Sequence, residues 1–170
     1  MITPILALLT VAAAADTWGP PAVVTHDDQP AVTYRAQVVG GYLAVDVKLE
    51  PGWHTFAMDN DKRATAKLAG RKALSMDKPT TIQPEGLEVT GPWLQSPLKD
   101  FSEPEILSFS WGFEGEARFL APAKSTSADK ARVRIKGQAC TKSVCKNVDV
   151  IAEAPITKGE ASTAGLIAVE

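Results

Sequence analysis

Along most of the chain, apolar and polar residues alternate with a period of two. The stretches Val32-Thr-Tyr-Arg-Ala-Gln-Val-Val39 and Tyr42-Leu-Ala-Val-Asp-Val-Lys-Leu49 both alternate, and Gly40-Gly41 between them marks a tight turn. Together they predict a β-hairpin, closed off by Pro51-Gly52. Further short strands are predicted over residues 53–57, 65–68 and 87–90, the last held between Gly86 and Gly91. Residues 106–113 and 117–120 flank a turn at Glu114-Gly115. Residues 131–138 read Ala-Arg-Val-Arg-Ile-Lys-Gly-Gln, a clean alternation, and 147–152 form the last clear strand. No segment carries a sustained helical period with capping residues. Twelve Pro and twelve Gly punctuate the sequence at short intervals. Many short strands between frequent turns predict an all-β, antiparallel β-sandwich.

The two ends of the 170-residue chain break this pattern. Residues 1–15 carry the apolar run Ile5-Leu-Ala-Leu-Leu-Thr-Val-Ala-Ala-Ala14, and Ala13-Ala-Ala15 fits a small-residue cleavage site before Asp16. They are expected to be a cleaved export signal, although no Lys or Arg precedes the run. The run is too short to span a bilayer of ordinary thickness, so no stable membrane insertion is expected after cleavage. The expected product is exported and soluble, in the periplasm or its equivalent. Residues 16–30, rich in Pro and Asp, are expected to form an extended arm. Residues 31–156 are expected to form the sandwich, and 157–170 a flexible tail in which 166–169 has some strand character.

Composition removes several classes of function. The net charge is −2, and the Lys and Arg residues are scattered rather than clustered. Nucleic acid therefore has no electrostatic footprint to bind. The basic stretch over residues 62–72 is expected to be a solvated loop face. No Gly-x-Ser-x-Gly, His-Glu-x-x-His or phosphate-loop motif occurs. Asp59, Asn60 and Asp61 resemble part of a calcium loop but lack its spaced Glu and Gly, so a turn is expected there.

Two cysteines remain, Cys140 and Cys145, in Gly137-Gln-Ala-Cys-Thr-Lys-Ser-Val-Cys145. The first ends one predicted strand and the second begins the next. Opposed residues of an antiparallel pair have Cα atoms about 4.5–5.5 Å apart. A disulfide accepts about 4.4–6.8 Å. A bridge across the mouth of this hairpin is therefore feasible. Closing a loop of about six residues stabilises a fold by only about 2 kcal/mol. Stability is thus a thin reason for the pair. Two thiols that must stay adjacent in both redox states would be well served by such a hairpin. Lys142 inside the loop and Lys146 after it favour thiolate, the species that attacks a disulfide. On spacing alone, a structural and a redox-active bridge stand level.

The stretch Gln138-Ala-Cys-Thr-Lys-Ser-Val-Cys145 resembles the active-site hairpin of the N-terminal periplasmic domain of the thiol:disulfide interchange protein DsbD. Pro51-Gly-Trp-His-Thr-Phe56, Pro84-Glu-Gly-Leu87 with Gly91-Pro-Trp93, and Phe113-Glu-Gly-Glu-Ala-Arg-Phe119 resemble that family's upstream blocks in the same order. The resemblance covers about residues 31–152 and rests on order and spacing, since no single motif is specific. It implies an immunoglobulin-like β-sandwich whose cysteines cycle between dithiol and disulfide with no bound cofactor. It implies that Cys140 and Cys145 are the redox pair, with Cys145 attacking the partner. The family shields its disulfide with a cap loop bearing an aromatic residue. The matching stretch is Ser96-Pro-Leu-Lys-Asp-Phe-Ser-Glu-Pro104, which makes Phe101 the candidate lid, with Asp100 and Glu103 beside it. His54 and Phe56 fall where the family carries active-site aromatics, and His54 offers a proton-transfer group.

The sequence also departs from the family pattern. Lys146-Asn147 stands where prolines often follow the second cysteine, and residues 103–110 lengthen the cap. The given chain carries no membrane hub and no thioredoxin-like domain. The partners implied are therefore a separate membrane electron donor and periplasmic thioredoxin-like or other thiol proteins. The alternative is a non-catalytic binding or scaffold module with a structural hairpin disulfide, a use to which sandwiches are often put. A soft-metal site built from Cys140, Cys145 and His54 is disfavoured, with no Met cluster near the pair and the other histidine, His26, in the N-terminal arm.

Overall fold

The computed structural model describes residues 17–73, 77–126 and 130–170. The expected leader, residues 1–15, lies outside the described residues. Two antiparallel sheets pack face to face as a β-sandwich. The first is built on β2 (Gln29–Val39), β3 (Tyr42–Leu49) and β10 (Glu116–Ser125), paired in that order, and β6 (Leu87–Val89), the strand expected over 87–90, also pairs with β10. The second is built on β11 (Lys130–Cys140) and β12 (Cys145–Thr157), with β4 (His54–Phe56), β5 (Thr81–Glu85) and β9 (Trp111–Glu114) alongside. The far end of β12 crosses to the first sheet and runs parallel to β2 at Ile156 and Thr157.

The period-two pattern predicts the core directly. Val32, Tyr34, Ala36 and Val38 of β2 face inward with Leu43, Val45, Val47 and Leu49 of β3. They meet Ala131, Val133, Ile135 and Ala139 of β11 and Val148, Ala152 and Ala154 of β12. The hydroxyl of buried Tyr34 is hydrogen-bonded to Thr55, whose own Oγ1 donates to the Gln138 carbonyl at 2.8 Å. This polar chain ties the two sheets together beneath the end of β11. At the predicted tight turn, Gly40 and Gly41 take φ of 58° and 78°, values that favour glycine.

Several expectations change in the structure. The segment expected as an arm contains a strand, β1 (Ala22–His26), which folds back on β2 through Asp27 and Asp28. In the tail, the strand character expected over 166–169 is present and docks the end of the chain: β13 (Ile167–Ala168) pairs with β7 (Leu94–Gln95). Residues 65–68, expected as a strand, belong to a helix, α1 (Asn60–Leu68). That helix also takes up most of the basic stretch expected as a loop. Asp59 ends the turn that leads into the helix and is its N-cap residue, while Asn60 and Asp61 begin the helix, and the Arg71 guanidinium donates to the carbonyls of Leu68 and Lys67 at its C-terminal end. The span 106–113 shortens to β9, because a 3-10 turn over Pro104–Ile106 precedes it.

Candidate functional site

Alternation along β11 puts Ala131, Val133, Ile135 and Ala139 in the core, so the even-numbered residues face outward. Arg132 and Arg134 are exposed, Lys136 and Gln138 half-buried, and Cys140 is only 2 % exposed. Cys140 therefore lies on the outer face of its sheet, and its burial comes from a cover rather than from the sandwich core. Cys145 is its register partner on β12 and is exposed. The two are joined in a disulfide, with Cα atoms 4.0 Å apart.

The turn explains the pairing. The Thr141 amide donates to the Val144 carbonyl at 2.8 Å, and the Thr141 hydroxyl accepts from the Ser143 and Val144 amides. In an antiparallel ladder the next pair outward is the closely spaced, non-hydrogen-bonded kind. Cys140 and Cys145 occupy that pair. Lys142 stands exposed at the tip of the turn.

The register continues across two more strands. Cys140 pairs with His54 on β4, and His54 pairs with Glu114 on β9. Register partners project to the same face, with Cβ atoms about 4.5–5.5 Å apart. Cys145, Cys140, His54 and Glu114 thus form a row across four strands. Close approach of β9 to β4 depends on Gly112, where a Cβ would meet the Thr55 carbonyl oxygen. Phe56, two residues along β4, is buried and meets the His54 ring edge-on at 5.3 Å.

The cover has two parts. One is the loop between β7 and β9. Within it β8 (Lys99–Asp100) pairs with β9, and the Phe101 amide donates to the Ser110 carbonyl at 2.9 Å. Phe101 then stacks on His54, with centroids 4.6 Å apart. The candidate lid therefore rests on the neighbour of Cys140. Asp100 and Glu103 both take part in building the loop. The Asp100 carboxylate accepts the Ser102 amide at 2.8 Å, and Glu103 exchanges backbone hydrogen bonds with Ser108. The second part is the segment 77–80. The Lys78 amide donates to Gln138 Oε1, Lys78 Nζ to Asn147 Oδ1, and the Thr80 hydroxyl to the Phe56 carbonyl. Buried Asn60 clamps this segment to β9, donating to the Asp77 carbonyl at 3.1 Å and accepting the Trp111 amide at 2.8 Å.

The carboxylates acting on this site are ones that sequence reasoning missed. Burial holds the His54 imidazole below its usual range; Asp77 and Glu114 oppose that, and Lys99 adds to it. Burial raises the Asp77 carboxyl, against a hydrogen bond to Ser110 and the pull of His54. Glu114 is ion-paired with Lys99, which also lies over the Phe101 ring at 5.5 Å. Glu114 sits inside the block Phe113-Glu-Gly, so strand register was the one signal that could have found it. Asp77 had no motif to betray it. Among the described residues, no group of three or more His, Cys, Asp or Glu is arranged to hold a metal ion, and no helix is long and apolar enough to cross a membrane.

Solved structures share this architecture. The N-terminal periplasmic domain of ScsB from Proteus mirabilis superposes with a TM-score of 0.55 at 16 % identity, covering 82 % of this chain and 51 % of that one. The fold is that of the DsbD N-terminal domain. The Neisseria meningitidis DsbD domain in its reduced form superposes with a TM-score of 0.51 at 13 % identity, covering 82 % of this chain and 91 % of that one. The chain thus spans about half the length of the ScsB domain and nearly all of the DsbD domain. No family model and no curated protein matches the sequence.

Proposed function

We propose that this protein is a periplasmic thiol–disulfide exchange module, passing electrons between redox partner proteins through Cys140 and Cys145. One observation carries the reading: the disulfide sits on the outer face of its sheet, with one sulfur's residue exposed and the other's buried under a cover. A bridge meant to hold a sandwich together would join the two sheets through the core. This one closes the end of a hairpin already held by ten further register pairs, from Lys130↔Pro155 to Ala139↔Lys146. The likeness in fold to the ScsB and DsbD domains supports the same reading.

The chemistry follows from the asymmetry. A partner thiolate attacks the exposed Cys145 sulfur, the bridge breaks, and the electron pair leaves on Cys140. Running backwards, a reduced Cys145 attacks a partner disulfide and Cys140 resolves the mixed species. The expected partners are thioredoxin-like or other thiol proteins and a membrane electron donor, as the resemblance of the cysteine hairpin to the DsbD family implies. The expected leader over residues 1–15 and the periplasmic location of the ScsB domain support the export part of this reading.

Equilibration against glutathione buffers tests the function. An exchange-active pair titrates well above about −300 mV, whereas a resistant structural bridge lies below it. A potential below that value overturns the reading in favour of a scaffold with a structural disulfide.

A further inference from the structure

Thiol exchange at this site leaves one chemical problem unsolved. Cys140 is 2 % exposed, so solvent has little access to the proton on its thiol. Yet the thiolate is the nucleophile, and burial in apolar surroundings raises a thiol's pKa. Cys140 must lose its proton to a neighbouring group when it resolves a mixed disulfide. The aligned row across β11, β4 and β9 offers one candidate.

We propose that His54 is the proton acceptor for Cys140 when the reduced pair attacks a partner disulfide. The inference rests on the exchange reading above and assigns a step within it. His54 is the cross-strand neighbour of Cys140 in register. Phe101 and Phe56 hold its ring from two sides, flat and edge-on. The charged groups around it are Asp77 ahead of β5, Glu114 on β9 and Lys99 on β8. Burial keeps the imidazole neutral near pH 7 and so able to accept a proton. Once protonated, it faces two carboxylates, while the single lysine is ion-paired with Glu114. The surroundings thus tolerate the charge that the transfer creates.

The steps balance. Cys145 thiolate attacks the partner disulfide; a Cys145–partner bond forms and the partner's own bond breaks, releasing one partner thiolate. The Cys140 thiol then gives its proton to His54. The Cys140 thiolate attacks the Cys145 sulfur, the Cys140–Cys145 bond forms, and the Cys145–partner bond breaks with its electron pair on the second partner sulfur. Imidazolium returns the proton to that sulfur or to water. The cysteine pair loses two electrons and the partner disulfide gains them.

The reduced protein mixed rapidly with 5,5′-dithiobis(2-nitrobenzoate) separates the steps. The first release of thionitrobenzoate reports attack by Cys145, and the second reports resolution by Cys140. With His54 as acceptor, the wild-type second phase rises with pH through an inflection below about 6.5 and then levels. In His54→Gln the second phase is about 100-fold slower at pH 7, consistent with loss of a general base. It climbs only through the thiol range, above that of the imidazole. A wild-type second phase inflecting only in the thiol range overturns the assignment, whatever the variant's folding. So does a His54→Gln second phase matching wild type. Absence of any second release from the wild type defeats the exchange reading itself.

Discussion

Phe101 lies nearly flat on His54, their planes 22° apart and their centroids 4.6 Å apart. An aromatic lid over a disulfide would most simply touch sulfur. Here it covers the residue beside the buried sulfur and removes water from an imidazole. The loop bearing Phe101 and the protonation of His54 are therefore coupled through one stacked pair.

Removing the lid tests that coupling. Burial is the largest influence on His54 and lowers its pKa, outweighing the upward pull of Asp77 and Glu114. Phe101→Ala exposes one ring face and weakens that influence. The His54 pKa should then rise toward about 6.5, followed by NMR titration of the imidazole. The lost stacking should cost about 1 kcal/mol in a urea melt. An unchanged or lower pKa would show that Phe101 does not control the water around His54.

The same imidazole gives the fold a pH dependence of known sign. A histidine whose folded pKa is lowered binds protons more readily when unfolded. Its contribution is fully present above about 6.5 and is lost as pH falls toward the lower folded value. Wild-type stability should therefore decline through that window, and His54→Gln should decline less. Denaturant midpoints at half-unit pH steps from 7.5 to about 5 would reveal a difference in slope. Parallel curves would mean that His54 stays as wet as in the unfolded chain.

Oxidised and reduced wild-type protein should differ little in stability. The closed loop is short, and the estimate of about 2 kcal/mol is a ceiling if the unfolded chain retains structure. Ten register pairs of the same hairpin remain without the bridge. Paired urea melts with and without reductant measure the gap. A loss beyond about 4 kcal/mol would mark the disulfide as a structural staple.

Much of this was legible because strands alternate. The period of two located β2, β3, β11 and β12 and their inward residues, and it put Cys140 opposite Cys145. Helix α1 was not legible. Among its nine residues only Asn60, Ala64 and Leu68 are buried, so no apolar stripe announces it. Its N-cap residue, Asp59, makes no side-chain cap bond, because its carboxylate is committed elsewhere. What linear spacing could not show for Asp100 is the local turn its oxygen closes with Ser102. Asp77 and Glu114 reach His54 only through tertiary pairing, which linear spacing cannot express.

The commitment of Asp59 predicts how the C-terminal segment is held. Its buried carboxylate accepts Gln95 Nε2 at 2.9 Å, the Arg63 guanidinium at 2.9 Å and the Glu170 amide at 3.0 Å. Burial alone would raise its pKa, but these hydrogen bonds and the Arg63 charge outweigh burial and lower it. That stability is present above the unfolded value of about 3.9 and is lost as pH falls through the lowered one. Asp59→Ala should cost about 3 kcal/mol, since it strips the partner from Arg63 and Gln95 together. It should also make residues 158–170 sensitive to limited proteolysis at neutral pH. Resistance equal to wild type would mean that the β13–β7 pairing holds the segment unaided.

Exposure makes the last prediction about the cysteines themselves. Cys145 is open to solvent and Cys140 is 2 % exposed. A partner sulfur can reach the first and not the second without displacing the cover. In the reduced protein, iodoacetamide should therefore label Cys145 first, as mass spectrometry of digested peptides would show. Cys140→Ser should leave an attacking Cys145 with no resolving thiol and accumulate a mixed disulfide with a partner thiol protein. Cys145→Ser should trap far less, because the remaining thiol lies under the cover. Equal trapping by both variants would mean that the cover opens before attack and that the static asymmetry does not choose the nucleophile. Trapping by Cys145→Ser alone would reverse the assignment of roles and make Cys140 the residue that meets the partner.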